Sequence, residues 1–295
     1  MSLPASRRIP LLLACTVLLT AGEPVGPFAP LPEAVARDMQ CLVRINDGAW
    51  VVDQANGLVG ALGGGSQRLI GLLAETFYLC DETAGIALDR PAFIGWRSPG
   101  PPLVACIPVG DRKAFFDNFG VARILDQQLL RINESDGTFV YSQNTVEGLW
   151  EYRLLVRDGY AILGRDVREC EALAAALPEA VPGAPPLAVV SRGGWLASAF
   201  AGRLDALAVA GADGALADFR ILRRLLRTWP EVAAQIEGVT ASLAAGDDDR
   251  ITITVALRAK ADSALAAWTA RQKNQGSRLL PLVARAEDLV QIHGT

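Results

Sequence analysis

The amino-acid sequence predicts an α+β fold of two related β-α-α-β-β-α units. The first is extended by an antiparallel meander and a helix, and the second is truncated. The prediction rests on an internal repeat, on apolar spacing that switches between strand and helix periods, and on a Pro-rich stretch between the copies. Leu42–Leu62 (LVRINDGAWVVDQANGLVGAL) recurs in outline at Leu187–Leu207 (LAVVSRGGWLASAFAGRLDAL). Leu42, Gly48, Trp50, Gly57, Ala61 and Leu62 are matched by Leu187, Gly193, Trp195, Gly202, Ala206 and Leu207.

In chain order, residues 1–21 read as a signal peptide and 22–37 as a linker holding a short helical lead-in at Pro32–Ala36. The first unit spans 38–178, a second linker 179–186 (EAVPGAPP), and the second unit 187–295. Cys41–Ile45 is an apolar strand. Asn46-Asp47-Gly48 ends it and offers a helix cap. From Trp50 the apolar positions fall at helical spacing through Val51, Ala55, Leu58, Val59 and Leu62, and Gly63–Ser66 closes that helix. Leu69, Ile70, Leu73, Phe77 and Cys80 form the stripe of a second helix. Ala92–Arg97 and Leu103–Val109 are strands around a Ser98–Pro102 turn, and Asp111 caps a helix over Arg112–Phe119. Thr138–Gln143, Leu149–Val156 and Tyr160–Leu163 form a three-stranded meander with Asp158-Gly159 as its turn. Asp166 caps the helix that follows, to Leu177.

The second copy gives a strand at Leu187–Ser191, helices over Gly194–Val209 and Ala215–Trp229, and a further turn or two at Glu231–Ile236. Val239–Ala245 and Ile251–Arg258 read as a hairpin, the second strand alternating Ile/Val with Thr as a half-buried strand does. Ala261–Lys273 closes the unit. Arg278–Ile292 offers one more helix but no meander. The truncation predicts an unpaired sheet edge and a loosely held tail from about Asn274.

At 295 residues and 51% hydrophobic, the chain can bury a large core. Its net charge of −4, without any basic run, argues against nucleic acid and against an electrostatic hold on anionic lipid. Arg7 and Arg8 precede the apolar run Ile9–Ala21, which is too short to span a bilayer and resembles an export leader cut after Ala21. The mature chain is then periplasmic or extracellular, with no transmembrane span. Two alternatives stand beside this one: a core strand or helix at the N-terminus, and a lipid anchor at Cys15, since Leu12-Leu13-Ala14-Cys15 is a degenerate lipobox. Export would let Cys41, Cys80, Cys106 and Cys170 form disulfides in any of three pairings. Their apolar neighbourhoods equally suit buried free thiols.

No motif names a reaction. His293 is the only histidine and lies near the C-terminus, which leaves Ser–His–Asp and Cys–His machinery without a base. Gly63–Ser66 lacks the GK[ST] of a phosphate loop. Asp247-Asp248-Asp249 are consecutive, whereas calcium loops alternate their ligands. Asp89, Asp111, Glu147 and Glu151 are the carboxylates a glycosidase-like pair would use, but Asp89-Arg90 and Asp111-Arg112 sit where Asp caps and Arg pairs. Trp50 and Trp195 read as anchors of the core and, less simply, as the lining of a ligand groove. Asn133-Glu134-Ser135 matches a glycosylation sequon. No catalytic, cofactor-binding or metal-binding residue is assigned.

A strand ends at Asn46-Asp47. Ala87-Leu88-Asp89-Arg90-Pro91 follows, then Ile107-Pro108-Val109-Gly110-Asp111, then the strand Tyr160-Ala161-Ile162-Leu163-Gly164 leading into a helix. With the export leader, this order resembles a group of uncharacterised exported bacterial proteins of a domain-of-unknown-function family. The resemblance covers roughly Pro32–Leu177 and, more weakly, the second unit. It implies a cell-envelope or secreted protein and brings no catalytic residues. The expectation is an exported, non-enzymatic binding or scaffold protein whose partner is another protein or an envelope component. The alternatives are a carrier holding an apolar ligand between sheet and helices, and a carboxylate-dependent hydrolase.

Overall fold

The structure is a computed structural model. It describes residues 13–19, 31–62, 74, 77–97, 103–119, 129–135, 138–145, 148–195, 231–245, 251–271 and 290–294. The fold is mixed α+β around one large, mainly antiparallel sheet. The strands are β1 (Leu13–Leu19), β2 (Cys41–Ile45), β3 (Ala92–Trp96), β4 (Leu103–Pro108), β5 (Leu129–Ser135) and β6 (Thr138–Thr145). They continue as β7 (Gly148–Arg157), β8 (Tyr160–Gly164), β9 (Leu187–Arg192), β10 (Ile236–Ala245), β11 (Ile251–Ala259) and β12 (Val290–Gly294). The described helices are α1 (Glu33–Ala36), α2 (Gly48–Leu62), α3 (Arg112–Asn118), α4 (Val167–Ala174) and α5 (Ala264–Arg271). The order across the sheet is β12-β1-β11-β10-β9-β2-β3-β4-β8-β7-β6-β5.

Alternation along each strand divides the first half of the sheet into two packed faces. Val43, Ile45, Ile94, Ala105, Ile107, Leu154 and Leu163 join Tyr78, Phe115 and Phe119 on one face. There Phe115 stacks on Phe119 at 5.1 Å, and Phe119 meets Tyr141 edge-on at 5.2 Å. Leu42, Phe93, Val104, Cys106 and Ile162 lie on the other face, against Val35 of α1 and Cys170 and Leu173 of α4. Each such apolar side chain contributes about 1.5–3 kcal/mol on full burial, which is why these central strands read as nearly continuous apolar runs.

The helix starts are capped as their sequences require. Asp111 accepts from the Ala114 N–H at 3.0 Å, Asp166 from the Glu169 N–H at 2.8 Å, and Asp47 from the Trp50 N–H at 2.9 Å. Each cap satisfies a donor with no partner inside its helix.

β2 and β9, the strands at the head of the repeated segments, lie side by side and antiparallel, with Val43 opposite Val189 and Arg44 opposite Ala188. Gly48 and Gly193 each lie close against a backbone carbonyl. A Cβ on Gly48 would come 3.0 Å from the Leu88 carbonyl and 2.4 Å from the Tyr78 hydroxyl. A Cβ on Gly193 would come 1.9 Å from the Ile236 carbonyl. Leu88 and Ile236 occupy matching places in the pairing register. Ala92 faces Ile45 and Thr240 faces Val190, and the two carbonyls lie the same distance upstream of those residues.

Several expectations are corrected. The meander has four strands: β5 pairs with β6 ahead of the three strands expected. The outer edge of β11 is not unpaired, because β1 runs parallel to it from Leu13↔Ile251 to Leu19↔Leu257. Val290–Gly294 is a strand paired with β1, not the end of a helix. The linker 179–186 is fastened at both ends. Arg44 Nη2 donates to the Glu179 carbonyl at 2.7 Å, and Asn46 Nδ2 to the Pro185 carbonyl at 2.7 Å. The Asn46 N–H donates to the Pro186 carbonyl, also at 2.7 Å. The helices expected over Gly194–Val209 and Ala215–Trp229 fall outside the described residues except for the helical start at Gly193–Trp195, as does most of the second helix of the first unit.

Candidate functional site

Cys41, Cys80, Cys106 and Cys170 are free and buried. Cys106 and Cys170 share the face covered by α1 and α4, while Cys80 packs on the opposite face, so the sheet separates them. Burial pushes the Cys41 and Cys170 thiols up to about 12, and raises those of Cys80 and Cys106 as well. Thiols this reluctant to ionise are poor nucleophiles.

The carboxylates that could have made an acid–base pair are dispersed. Asp89, Asp111 and Glu151 are exposed on separate elements. Arg90 instead straps the β7–β8 turn, donating to the Gly159 and Asp158 carbonyls at 3.1 Å each and standing 4.1 Å over the Tyr160 ring. Trp50 and Trp195 are half-buried, and Trp195 meets Trp96 at 6.2 Å. Asn133-Glu134-Ser135 lies within β5, and His293 within β12. Glu147, Gly63–Ser66 and Asp247–Asp249 lie outside the described residues. Among the described residues no cluster of His, Cys, Asp and Glu is placed to hold a metal ion.

Among the described residues, a buried charged cluster gathers around Glu169. Arg97 follows β3, and its Nη2 donates to Glu169 Oε1 near the start of α4. Both side chains are only 6% exposed. Glu169 also accepts from the Arg165 N–H at 2.7 Å and from Arg165 Nη2 at 3.2 Å, and Arg165 reaches Asp38 at 3.9 Å. Burial lowers the Arg97 pKa and the Glu169 charge opposes that shift. Nearby, burial raises the Tyr152 hydroxyl well above the usual tyrosine value, against a backbone hydrogen bond from Leu103 and the Arg97 charge. Three donors occupy the Glu169 carboxylate, which leaves it badly placed to act as a base. The cluster is a clamp tying the end of β3 to the head of α4. Arg97 Nε and Nη1 and the Tyr78 hydroxyl are buried without a partner. Asp166 and Glu169 stand three residues apart at the head of α4, the spacing of a capping box, which is a local signal for the Glu169 end of the cluster.

The second notable feature is the outer edge of β11. Its ladder to β10 is regular from Gly238↔Arg258 to Ala245↔Ile251. Cross-strand pairs place Ile251, Ile253, Val255 and Leu257 on the face shared with Val239, Ala241 and Leu243, and Thr252, Thr254 and Ala256 on the other. Arg258 is the only charge in β11, and Glu237 takes its Nε–H at 3.0 Å. Proline and lysine, which guard many natural edges, are absent.

No protein-family model, curated protein or solved structure matches the chain. No helix among the described residues is long and apolar enough to cross a membrane.

Proposed function

We propose that the protein is an exported, non-enzymatic binding or scaffold protein of the cell envelope or extracellular space. In this reading it belongs with the uncharacterised exported proteins it resembles, and it is built from two related units, the second lacking a meander. The observation that carries the binding role is the outer edge of β11. A nine-residue strand there, without proline or lysine, is completed by a segment from the far end of the sequence. With β1 removed along with the leader this edge would be open, and open edges take up strands from partners. The antiparallel β2–β9 seam and the matched crowding at Gly48 and Gly193 support the duplication. In the first unit, Phe115, Tyr152, Leu154 and Ile107 fill the space between sheet and helices, which weighs against the carrier. The engagement of Glu169 by Arg97 and Arg165 weighs against the hydrolase.

The test is expression of the full chain with a C-terminal tag in a bacterial host. Fractionation and the mass of the purified N-terminus report export and cleavage. Recovery only in the cytoplasm with residues 1–21 intact refutes the proposed location. Turnover of glycosides or esters that disappears in an alanine variant of any carboxylate refutes the non-enzymatic role.

A further inference from the structure

We propose that the outer edge of β11 is a binding site for an extended apolar peptide, and that Leu13–Leu19 marks its register. The inference rests on the reading of the chain as an exported binding protein whose leader is removed. In the first unit, the corresponding edge of β4 is filled by β8, an antiparallel strand of the same unit. Among the described residues of the second unit no strand but β10 lies beside β11. The place is taken in parallel by seven residues from the apolar run Ile9–Ala21, through seven consecutive pairs. A strand from so distant a part of the chain can dock there because the edge is regular and uncharged. The β10–β11 irregularity falls at Ile236/Gly238, beyond the stretch that β1 occupies, and Arg258 lies just past the last pair, Leu19↔Leu257.

Backbone hydrogen bonds would supply most of the affinity, and side chains on alternate positions the selectivity. Positions beside Ile251, Ile253, Val255 and Leu257 continue the apolar face and favour apolar residues. Positions beside Thr252, Thr254 and Ala256 continue the small, polar face and tolerate small or polar ones. The ligand is therefore a short strand with apolar residues at every second position. Cleavage after Ala21 removes β1 and opens the site. It also strips β12 of β1, its strand neighbour.

The test compares two forms of the full-length gene product: the exported form, with its N-terminus read by mass, and the cytoplasmic form that keeps its leader. The probe is a synthetic peptide of Ile9–Ala21 carrying Cys15→Ser and a lysine tail. The exported form should bind it one to one, and the leader-bearing form at least about tenfold more weakly, because its edge is filled. Proline at Thr16 and Val17 of the peptide removes ladder donors and should weaken binding by about tenfold or more. A Thr16→Cys peptide should form a disulfide with Thr254→Cys protein, its register partner, and an Ala14→Cys peptide should not.

Equal binding by both forms, or indifference to proline, places the peptide elsewhere and overturns the proposal. So does absence of binding by the exported form, whether because β12 has moved onto β11 or because two copies pair edge to edge, which the solution mass reveals. A host that exports the chain without cutting it overturns the opening of the edge while leaving export intact.

Discussion

Replacing Glu169 by glutamine should destabilise the fold by about 3–5 kcal/mol, the range expected when one member of a buried ion pair is removed. The basis is the environment of Arg97. Its side chain is 6% exposed, and its one hydrogen-bonded anion is Glu169. Two of its nitrogens already lack partners, so the variant leaves a buried guanidinium with no hydrogen-bonded anion and only the more distant Asp38 charge to balance it. Arg97→Leu should cost less, about 1–3 kcal/mol, because Glu169 keeps both contacts to Arg165. The double variant should cost less than the sum, with a coupling of about 0.5–3 kcal/mol. Urea unfolding followed by circular dichroism measures all three. A Glu169→Gln cost below about 1 kcal/mol, or an Arg97→Leu cost equal to it, would refute the assignment of Arg97 as the member that depends on its partner.

Gly193→Ala should lower stability by about 2 kcal/mol or more, since the new carbon would lie 1.9 Å from the Ile236 carbonyl. Gly48→Ala should cost less, because the backbone carbonyl in its way, that of Leu88, lies at 3.0 Å and not at 1.9 Å. Urea midpoints check both. Removing the Asp166 cap by alanine should cost about 1 kcal/mol by the same assay. Iodoacetamide at pH 8 should leave the native thiols of Cys41, Cys80, Cys106 and Cys170 unlabelled and label all four in denaturant, as read by mass. The alkaline limb of stability should follow from the same thiols. Cys41 and Cys170 ionise near 12 when folded against a reference value of 9.0. Between those values the unfolded chain binds fewer protons, so stability is full below pH 9 and falls as pH rises. Each thiol adds a slope of about 1.4 kcal/mol per pH unit. A double Cys→Ala variant should flatten that slope.

The central strands were legible because burial on both faces forces them apolar: Leu103–Pro108 and Tyr160–Gly164 are buried throughout. The caps were legible because Asp47, Asp111 and Asp166 act within three residues of themselves. β5 was not legible, because Arg131, Asn133 and Glu134 give it no apolar alternation. The Arg97–Glu169 clamp was hidden for another reason. Its partners are 72 residues apart in sequence and meet only when β3 and α4 are packed on the same sheet. The completion of β11 by β1 was the hardest to foresee. It joins opposite ends of the chain, and no local pattern records such a pairing.

The connector at 179–186 carries its own implication. Ala180–Val181 and the turn after them are solvent-facing, yet both flanks are fastened to Arg44 and Asn46. A protease could sever the chain there without setting the halves adrift. Five backbone pairs across β2 and β9 would keep the two fragments zipped together, as a hinge pin holds after its strap is cut.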